Sequence, residues 1–280
     1  MVVRSMQKIN QKYIKSVVQK ALKEDLSPKG DLTTNLLESK SKIVKAKIIA
    51  KQNGVISGLN FCKTAFKLIG KETIFKTKIR DGNKVKKNIV IAEIKAKTKT
   101  ILSAERTALN FLNHSSGIST LTYKFVNKVR KKNKICCTRK TTPNLRLLEK
   151  YAVRMGGGHN HRFNLCDEIL IKENHINSET NLKKLIIKAN KTNKVITVEI
   201  ENINQLKEIL GLKFKRLIFD NMSLKLLKKC LKLCKNKYET EYSGNTNLKN
   251  ISQISRTGVN RISVGSITHS AKSFDSSLLI

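Results

Sequence analysis

Residues 196–220 read ITVEIENINQLKEILGLKFKRLIFD. A short apolar run, ITVEIE (196–201), gives way to an amphipathic stretch near 203–210, and a second apolar run, RLIFD (216–220), follows it. Two short apolar runs with a helical pattern between them predict parallel strands, because a parallel neighbour is reached only by a crossover long enough to hold a helix. The same alternation extends both ways. Upstream lie ICCTRK (135–140), a helix near 145–154, EILIK (168–172) and a helix near 180–191; downstream lie a helix near 223–234, YETEYS (238–243), a helix near 247–256 and RISVG (261–265). The expected fold class is therefore α/β.

Where polarity falls along these strands decides what they surround. Each carries an apolar run and then ends on polar or small residues: on Arg139 and Lys140, on Lys172, on Glu199 and Glu201, on Asp220, on Glu241 and Ser243, and on Gly265. In a β/α barrel the carboxyl ends of the strands converge on one mouth, so these residues are expected to face one cavity. The six strands are fewer than a closed barrel uses, which predicts an open six-stranded α/β barrel. A doubly wound open sheet is the structural alternative, and it also binds ligands at strand carboxyl ends. No G-x-G-x-x-G follows a first strand, which argues against a dinucleotide fold.

The stretch TRKTTPNLRLLEKYAVRMGGGHNHRFNLCDEILIKENH (138–175) supplies one side of that mouth. Arg139, Lys140, Arg162 and Lys172 are cations at element ends. Confining them is costly unless an anion lies between them, and the guanidinium fork matches carboxylate or phosphate in two-point geometry. Glu199, Asp220 and Glu201 supply the other side. Glu199 and Glu201 share a strand face by period-two geometry. Oxygen ligands without neighbouring His or Cys favour magnesium, which keeps most of its waters. Ser243-Gly244 and Gly265-Ser266 end strands with small residues that let backbone N–H groups approach a phosphate. A polyanionic sugar phosphate fits such a mouth.

The amino-terminal part reads as a small α+β unit. Residues 11–24 carry a helical apolar stripe; EDLSPKGDLTT (24–34) is a turn in which Asp31, Thr33 and Thr34 cap or bond backbone. Ile43 to Ala50, Thr73 to Lys78 and Ile89 to Lys95 are β-like, Asn60 to Leu68 is helical, and Asp81-Gly82 marks a tight turn. From Leu102 to about Arg130 the pattern is helical, with a break expected at Ser115-Ser116-Gly117.

Composition bounds these inferences. The chain has 280 residues, 39% hydrophobic, enough for a real core. Its formal net charge of +37 suggests nucleic acid at first sight. The excess is mostly lysine spread over the whole length, aromatic content is 5% and tryptophan is absent, which fits lysine-loaded solvated faces better than a specific nucleic-acid site. No apolar run resembles a signal peptide or a membrane span, and the expected location is cytoplasmic. Cys62, Cys136, Cys137, Cys166, Cys230 and Cys234 lack paired C-x-x-C spacing and read as reduced thiols.

TRKTTPNLR, GGGHNHR, LIKENH, VEIEN, FDN, SGN and ISVGSITHS, in this order, closely resemble the quinolinate phosphoribosyltransferases, also called carboxylating nicotinate-nucleotide pyrophosphorylases. The likeness runs from EDLSPKGDLTT to SITHS. It implies an amino-terminal α/β sandwich domain (1–107) and an open six-stranded α/β barrel (108–267), with residues 268–280 returning to the first domain. It also implies the joining of quinolinate to phosphoribosyl pyrophosphate with magnesium, giving nicotinate mononucleotide, carbon dioxide and pyrophosphate, a step of NAD synthesis. By the same resemblance, Arg139, His161, Arg162 and Lys172 bind quinolinate, Thr138 is a further substrate-binding residue, and Arg106 reaches in from a neighbouring subunit, so that at least a homodimer is expected. Lys140, Glu199 and Asp220 match the catalytic residues around the ribose and its metal-bound pyrophosphate. Ser243, Gly244, Asn245, Gly265, Ser266 and His269 match the 5′-phosphate region.

The chain departs from the family pattern at Asn144 and Asn245, where glycine is usual, and at Thr197, where an acidic residue is common. Asn tolerates left-handed backbone, so both turns are expected to survive; Thr197 puts a peripheral ribose or metal contact in doubt. Taken singly, each residue has a plainer explanation: Arg139 and Lys140 as solvated strand-end cations, His161 and His175 as satisfied histidines, Glu199 and Asp220 as partners of surplus lysines, His114 as structural. Two other functions are compatible with the sequence. One is a paralogous phosphoribosyltransferase acting on nicotinate or resembling the homologue of molybdate-transport operons, and the other is a lysine-rich RNA-binding module.

Overall fold

The computed structural model describes residues 9–38, 42–178 and 181–280, leaving aside the side chains of 177 and 178. The chain divides into two compact units. Of the described residues, one unit holds those between 9 and 123 together with Leu147–Gly157 and Ala271–Ile280; the other holds Lys124–Arg146 and those from Gly158 to Ser270.

The first unit opens with α1 (Gln11–Leu26), capped by the Asn10 side chain, which accepts from the Lys12 N–H. Ile14, Val18 and Leu22, four residues apart, are its buried face. Burying each such side chain contributes roughly 1.5–3 kcal/mol. The stretch expected as a turn holds a helix as well, α2 (Leu32–Leu37): the Asp31 carboxylate accepts the Thr34 N–H at 2.9 Å and so nucleates it. There follow β1 (Ile43–Ala50), β2 (Gly54–Val55), α3 (Leu59–Ile69), β3 (Ile74–Thr77), β4 (Lys84–Val85), β5 (Val90–Lys97) and the long α4 (Thr98–Val126).

The break expected in α4 is not there. Ser115, Ser116 and Ser119 turn their hydroxyls onto one residue, Ser57. The Ser57 N–H donates to Ser116 Oγ at 3.0 Å, while Ser115 and Ser119 lie 2.6 and 2.7 Å from Ser57 Oγ. Gly117 sits where a Cβ would come within 2.2 Å of the Lys272 carbonyl oxygen. Small residues serve close approach at this point and leave the helical ladder intact.

The second unit is built from β6 (Lys134–Cys136), β7 (Ile169–Ile171), α6 (Glu173–Ser178), α7 (Leu182–Ala189), β8 (Ile196–Ile200), α8 (Ile203–Ile209), β9 (Arg216–Asp220), α9 (Leu224–Cys234), β10 (Glu239–Ser243), α10 (Ile251–Arg256), β11 (Arg261–Ser263) and α11 (Ser266–His269). Between β6 and β7 the chain passes through α5 (Arg146–Met155), and it ends with β12 (Ser276–Leu279). Both α5, from Leu147 on, and β12 belong to the first unit, where the antiparallel sheet runs β12-β1-β5-β3.

In the second unit six strands run parallel in the order β6-β11-β10-β9-β8-β7. The α/β class and the open six-stranded arrangement expected from the alternation are what the structure has. His159 adds one bridge beyond β6, its N–H donating to the Ile135 carbonyl at 2.7 Å. Register partners in a parallel sheet point the same way, which stacks the interior in layers. Thr197, Arg216 and Glu239 form the lowest layer, Glu199, Ile218, Glu241 and Arg261 the next, and Asp220 with Ser243 lies above them. Glu241 therefore sits inside the barrel, fully buried, and not at the mouth where its place near a strand end had put it.

No helix among the described residues is long and apolar enough to cross a membrane. Replacing Gly117 by valine should destabilise the protein by about 1–3 kcal/mol through overpacking against the Lys272 backbone. A lower denaturant midpoint with an unchanged slope is the expected result.

Candidate active site

The floor of the barrel is a closed set of charges. The buried Glu241 carboxylate accepts from Arg261 Nε at 2.9 Å and from the Ser263 hydroxyl, and lies 3.7 Å from Arg216 Nε. Arg216 also donates to Glu239 at 3.0 Å and to Glu168 at 3.1 Å; Arg261 and Lys134 approach Glu239 at 3.5 and 3.3 Å. Thr197 joins the same set, its hydroxyl lying 3.4 Å from both Glu168 and Arg216 Nη1. The residue whose departure from the family pattern cast doubt on a mouth contact is thus engaged in the floor. Burial works against the charge of Glu239, but Arg261 and Arg216 prevail and hold its pKa at about 2.

His161 links floor and mouth. Its Nε2 lies 3.6 Å from Glu241 and its Nδ1 3.5 Å from Glu168, while the Arg162 N–H points at Nδ1 from 3.0 Å. Burial lowers its pKa despite both carboxylates, so the ring is neutral near pH 7. Beside it Arg162 is nearly covered and donates to the Glu168 carbonyl at 3.1 Å. Burial and the adjacent Arg139 charge press the Arg162 pKa down. Arg139 Nε is buried and has no hydrogen-bond partner among the described residues. Two guanidinium groups thus stand side by side, with Glu168, Glu199 and Asp167 only partly offsetting the shift on Arg162.

Across from them, burial raises the pKa of Glu199; Lys172 opposes the shift, and Asp220, Glu201 and Glu241 reinforce it. Lys172, Glu199 and Asp220 are therefore electrostatic neighbours, as their strand-end positions predicted. Asp220 accepts from the Asn221 side-chain amide at 2.8 Å. Among the described residues no group of three or more His, Cys, Asp or Glu side chains could hold a metal ion.

The turns above the strands bring the remaining residues in. Gly244 has φ +111° and lies so close to Asn221 that a Cβ would stand 2.2 Å from its Oδ1, so only glycine fits there. Asn245 (φ +41°) and Asn144 (φ +64°) both adopt the left-handed backbone expected of them. A Cβ on Gly265 would stand 3.2 Å from His269 Nε2 and 3.4 Å from Lys140 Cδ, so Lys140, Gly265 and His269 converge. The Thr268 hydroxyl donates to the Lys140 carbonyl at 2.6 Å, and the Lys140 N–H to Thr138 Oγ1 at 3.1 Å. Ser266 opens α11, and Ser243 closes β10. All these residues lie in the second unit. Arg106 lies in the first, on an exposed face of α4.

Family models decide the affiliation. The model for the quinolinate phosphoribosyl transferase C-terminal domain matches residues 118–279, and that for the N-terminal domain matches residues 31–116. The chain belongs to the quinolinate phosphoribosyltransferase family. As a member it is an enzyme, a pentosyltransferase. It is 38% identical over 274 residues to a probable carboxylating nicotinate-nucleotide pyrophosphorylase of Bacillus subtilis (strain 168), covering 96% of this chain and 94% of that one. The solved nicotinate-nucleotide pyrophosphorylase of Francisella tularensis superposes with a TM-score of 0.93 at 37% identity over 97% of both chains. NadC from Streptococcus pyogenes does so with 0.94 at 36% identity over 98% of both.

What sequence reasoning missed in this phosphoribosyltransferase is the floor: Glu168, Arg216, Glu239 and Arg261, together with the true depth of Glu241. A signal was present. Strands covered on both faces should be apolar throughout, yet ETEYS carries two glutamates two residues apart and RLIFD and RIS each open on an arginine, which marks a polar inward face. The floor also has a pH signature. The folded pKa of Glu239 lies below its ordinary 4.5, so its contribution to stability is complete above pH 4.5 and is lost as pH falls toward 2. Urea titrations stepped through that window should show stability falling with pH, and Glu239→Gln should flatten that part of the profile.

Proposed function

We propose that this mouth transfers the phosphoribosyl group of phosphoribosyl pyrophosphate to quinolinate, with decarboxylation, giving nicotinate mononucleotide, carbon dioxide and pyrophosphate for NAD synthesis. One observation carries the assignment: Arg139, with its buried and unpartnered Nε, stands beside an Arg162 whose pKa is already depressed. Two guanidinium groups side by side are matched by a ligand with two negative groups close together, and adjacent carboxylates on a pyridine ring are such a ligand. Lys172 adds a third positive group, and His161 a neutral ring that orients without adding charge.

Seated there, the pyridine nitrogen is presented to C1′ of the sugar. The C–N bond forms as the C1′–O bond breaks, and the electron pair leaves with pyrophosphate. Glu199 and Asp220 stabilise positive charge developing on the ribose ring, and Lys140 stabilises the departing pyrophosphate. The ring carboxylate next to the nitrogen leaves as carbon dioxide, and its electron pair stays on the ring carbon and takes up a proton. The turns at Ser243-Gly244-Asn245 and Gly265-Ser266, with His269, offer backbone N–H groups and a ring nitrogen to the 5′-phosphate. The protein's share is largely positioning and electrostatics.

Magnesium suits this donor set. It demands few protein ligands, so Glu199 and Asp220, through water, would hold it against substrate oxygens; the ion when bound neutralises pyrophosphate charge. Arg106, exposed on α4, would complete the cation set of a partner subunit in a homodimer. A cytoplasmic location accords with this role.

Incubation with quinolinate, phosphoribosyl pyrophosphate and magnesium should release carbon dioxide and nicotinate mononucleotide, while nicotinate in place of quinolinate should give no product. Arg139→Ala should lower kcat/KM for quinolinate by about 10²-fold or more; unchanged turnover would refute the pocket. Arg106→Ala and Arg139→Ala, each nearly inactive alone, should regain part of the activity when mixed, because a mixed dimer holds one intact site. Absence of any recovery under subunit exchange would place Arg106 outside the partner's mouth.

A further inference from the structure

Arg146 plays no part in the chemistry above, yet it bridges the two loops that carry the paired guanidinium groups. Its Nε donates to Thr141 Oγ1 at 2.9 Å and its Nη1 to the Phe163 carbonyl at 3.1 Å. Thr141 lies two residues after Arg139 and in turn donates to the Arg139 carbonyl at 3.4 Å; Phe163 follows Arg162 directly. Each loop is also braced within itself. The Lys140 N–H bonds Thr138, and the Phe163 N–H bonds Asp167 Oδ2 at 2.6 Å. At their bases the two loops are joined by Cys137, whose N–H donates to the His159 carbonyl at 3.0 Å and whose thiol lies 3.3 Å from Asn160 Oδ1; beyond Arg139 and Arg162 they are joined by the half-buried Arg146 fork, which has no ion pair among the described residues.

A guanidinium that spends its donors on neutral oxygens works as a planar two-point spacer, a geometry an ammonium cannot reproduce. We propose that Arg146 is a positioning residue that fixes the distance between the Arg139 and Arg162 seats and so selects a ring whose two carboxylates occupy neighbouring atoms. The inference deepens the functional assignment above and rests on it. Because the fork reaches the seats only through Thr141 and Phe163, its loss should loosen their spacing while leaving both cations present. A poorly spaced pair still attracts a dianion, but it discriminates less well between isomers.

The test uses full-length Arg146→Lys, which keeps the charge but cannot span both loops, and Thr141→Val, which cuts one arm and spares the arginine. Benzene-1,2-dicarboxylate and benzene-1,3-dicarboxylate serve as probes of spacing, their binding measured by calorimetry and by competition with quinolinate. Arg146→Lys should raise the KM for quinolinate about tenfold with kcat changed less than about twofold. The preference for the 1,2-isomer over the 1,3-isomer should shrink toward unity, with the melting temperature held. Thr141→Val should move both quantities the same way by less, and it decides the matter if Arg146→Lys does not fold. Wild-type isomer preference in a folded variant would overturn the proposal, as would an unchanged KM for quinolinate with kcat and the calorimetric stoichiometry for both isomers falling only in proportion to the loss of folded protein. If the wild-type protein does not turn over quinolinate, the functional assignment fails instead, and the isomer preferences measured by calorimetry still judge Arg146.

Discussion

The buried carboxylate of Glu241 is the constraint on which the barrel unit depends. A charge removed from water costs several kcal/mol unless it is fully paired, and breaking one member of a buried set leaves the others uncompensated. Here Arg261, Arg216 and Ser263 surround it, and Glu239 and Glu168 balance the two arginines in turn. The set draws on β9, β10 and β11 and on the residue just before β7, so that slipping any one strand by a residue would send a charge to the opposite, apolar face. An open sheet has two edges and no closure to hold its register. The ionic floor supplies that restraint from inside.

The floor also decides what the mouth can be. Glu168 contributes its carboxylate to Arg216 below and its carbonyl to Arg162 above, and His161 spans from Glu241 to the Arg162 backbone. The strand-borne residues Glu199 and Asp220 inherit their depth from the same register. The mouth is therefore not an assembly of loops alone. Its cation-bearing loops stand on a base whose arginines and glutamates are already paired with one another.

Much of this was legible in the sequence because it follows from local period and strand-end chemistry. RLIFD begins and ends as a strand where expected, Ile43 to Ala50 does the same, and Asn144 and Asn245 keep the positive φ that glycine would otherwise supply. The failures share a cause: they concern what a residue meets across the fold. Ser115-Ser116-Gly117 has the composition of a break, and only its contacts with Ser57 and Lys272 reveal it as a packing seam in a continuous helix. Thr197 seemed to bear on the mouth because of its neighbour Glu199, whereas period two points it into the layer below. Arg216 and Arg261 look like further members of a basic surface, since nothing in the sequence names the glutamates that neutralise them.

The large positive excess and the handful of buried cations do different work. Most of the 57 Lys and Arg residues face solvent, where at physiological salt their influence fades beyond about 8 Å. Such a field raises the encounter rate of any anion, and both substrates of a phosphoribosyl transfer to quinolinate are anions. It cannot tell one from the other, nor either from nucleic acid. Discrimination has to come from charges that water does not screen and that the fold cannot move apart. Arg139, whose Nε is buried, and the nearly covered Arg162 meet that requirement; lysines that face solvent do not. On the function proposed above, a chain could therefore gain or lose many surface lysines with little change in specificity, so long as Arg139 and Arg162 keep their places.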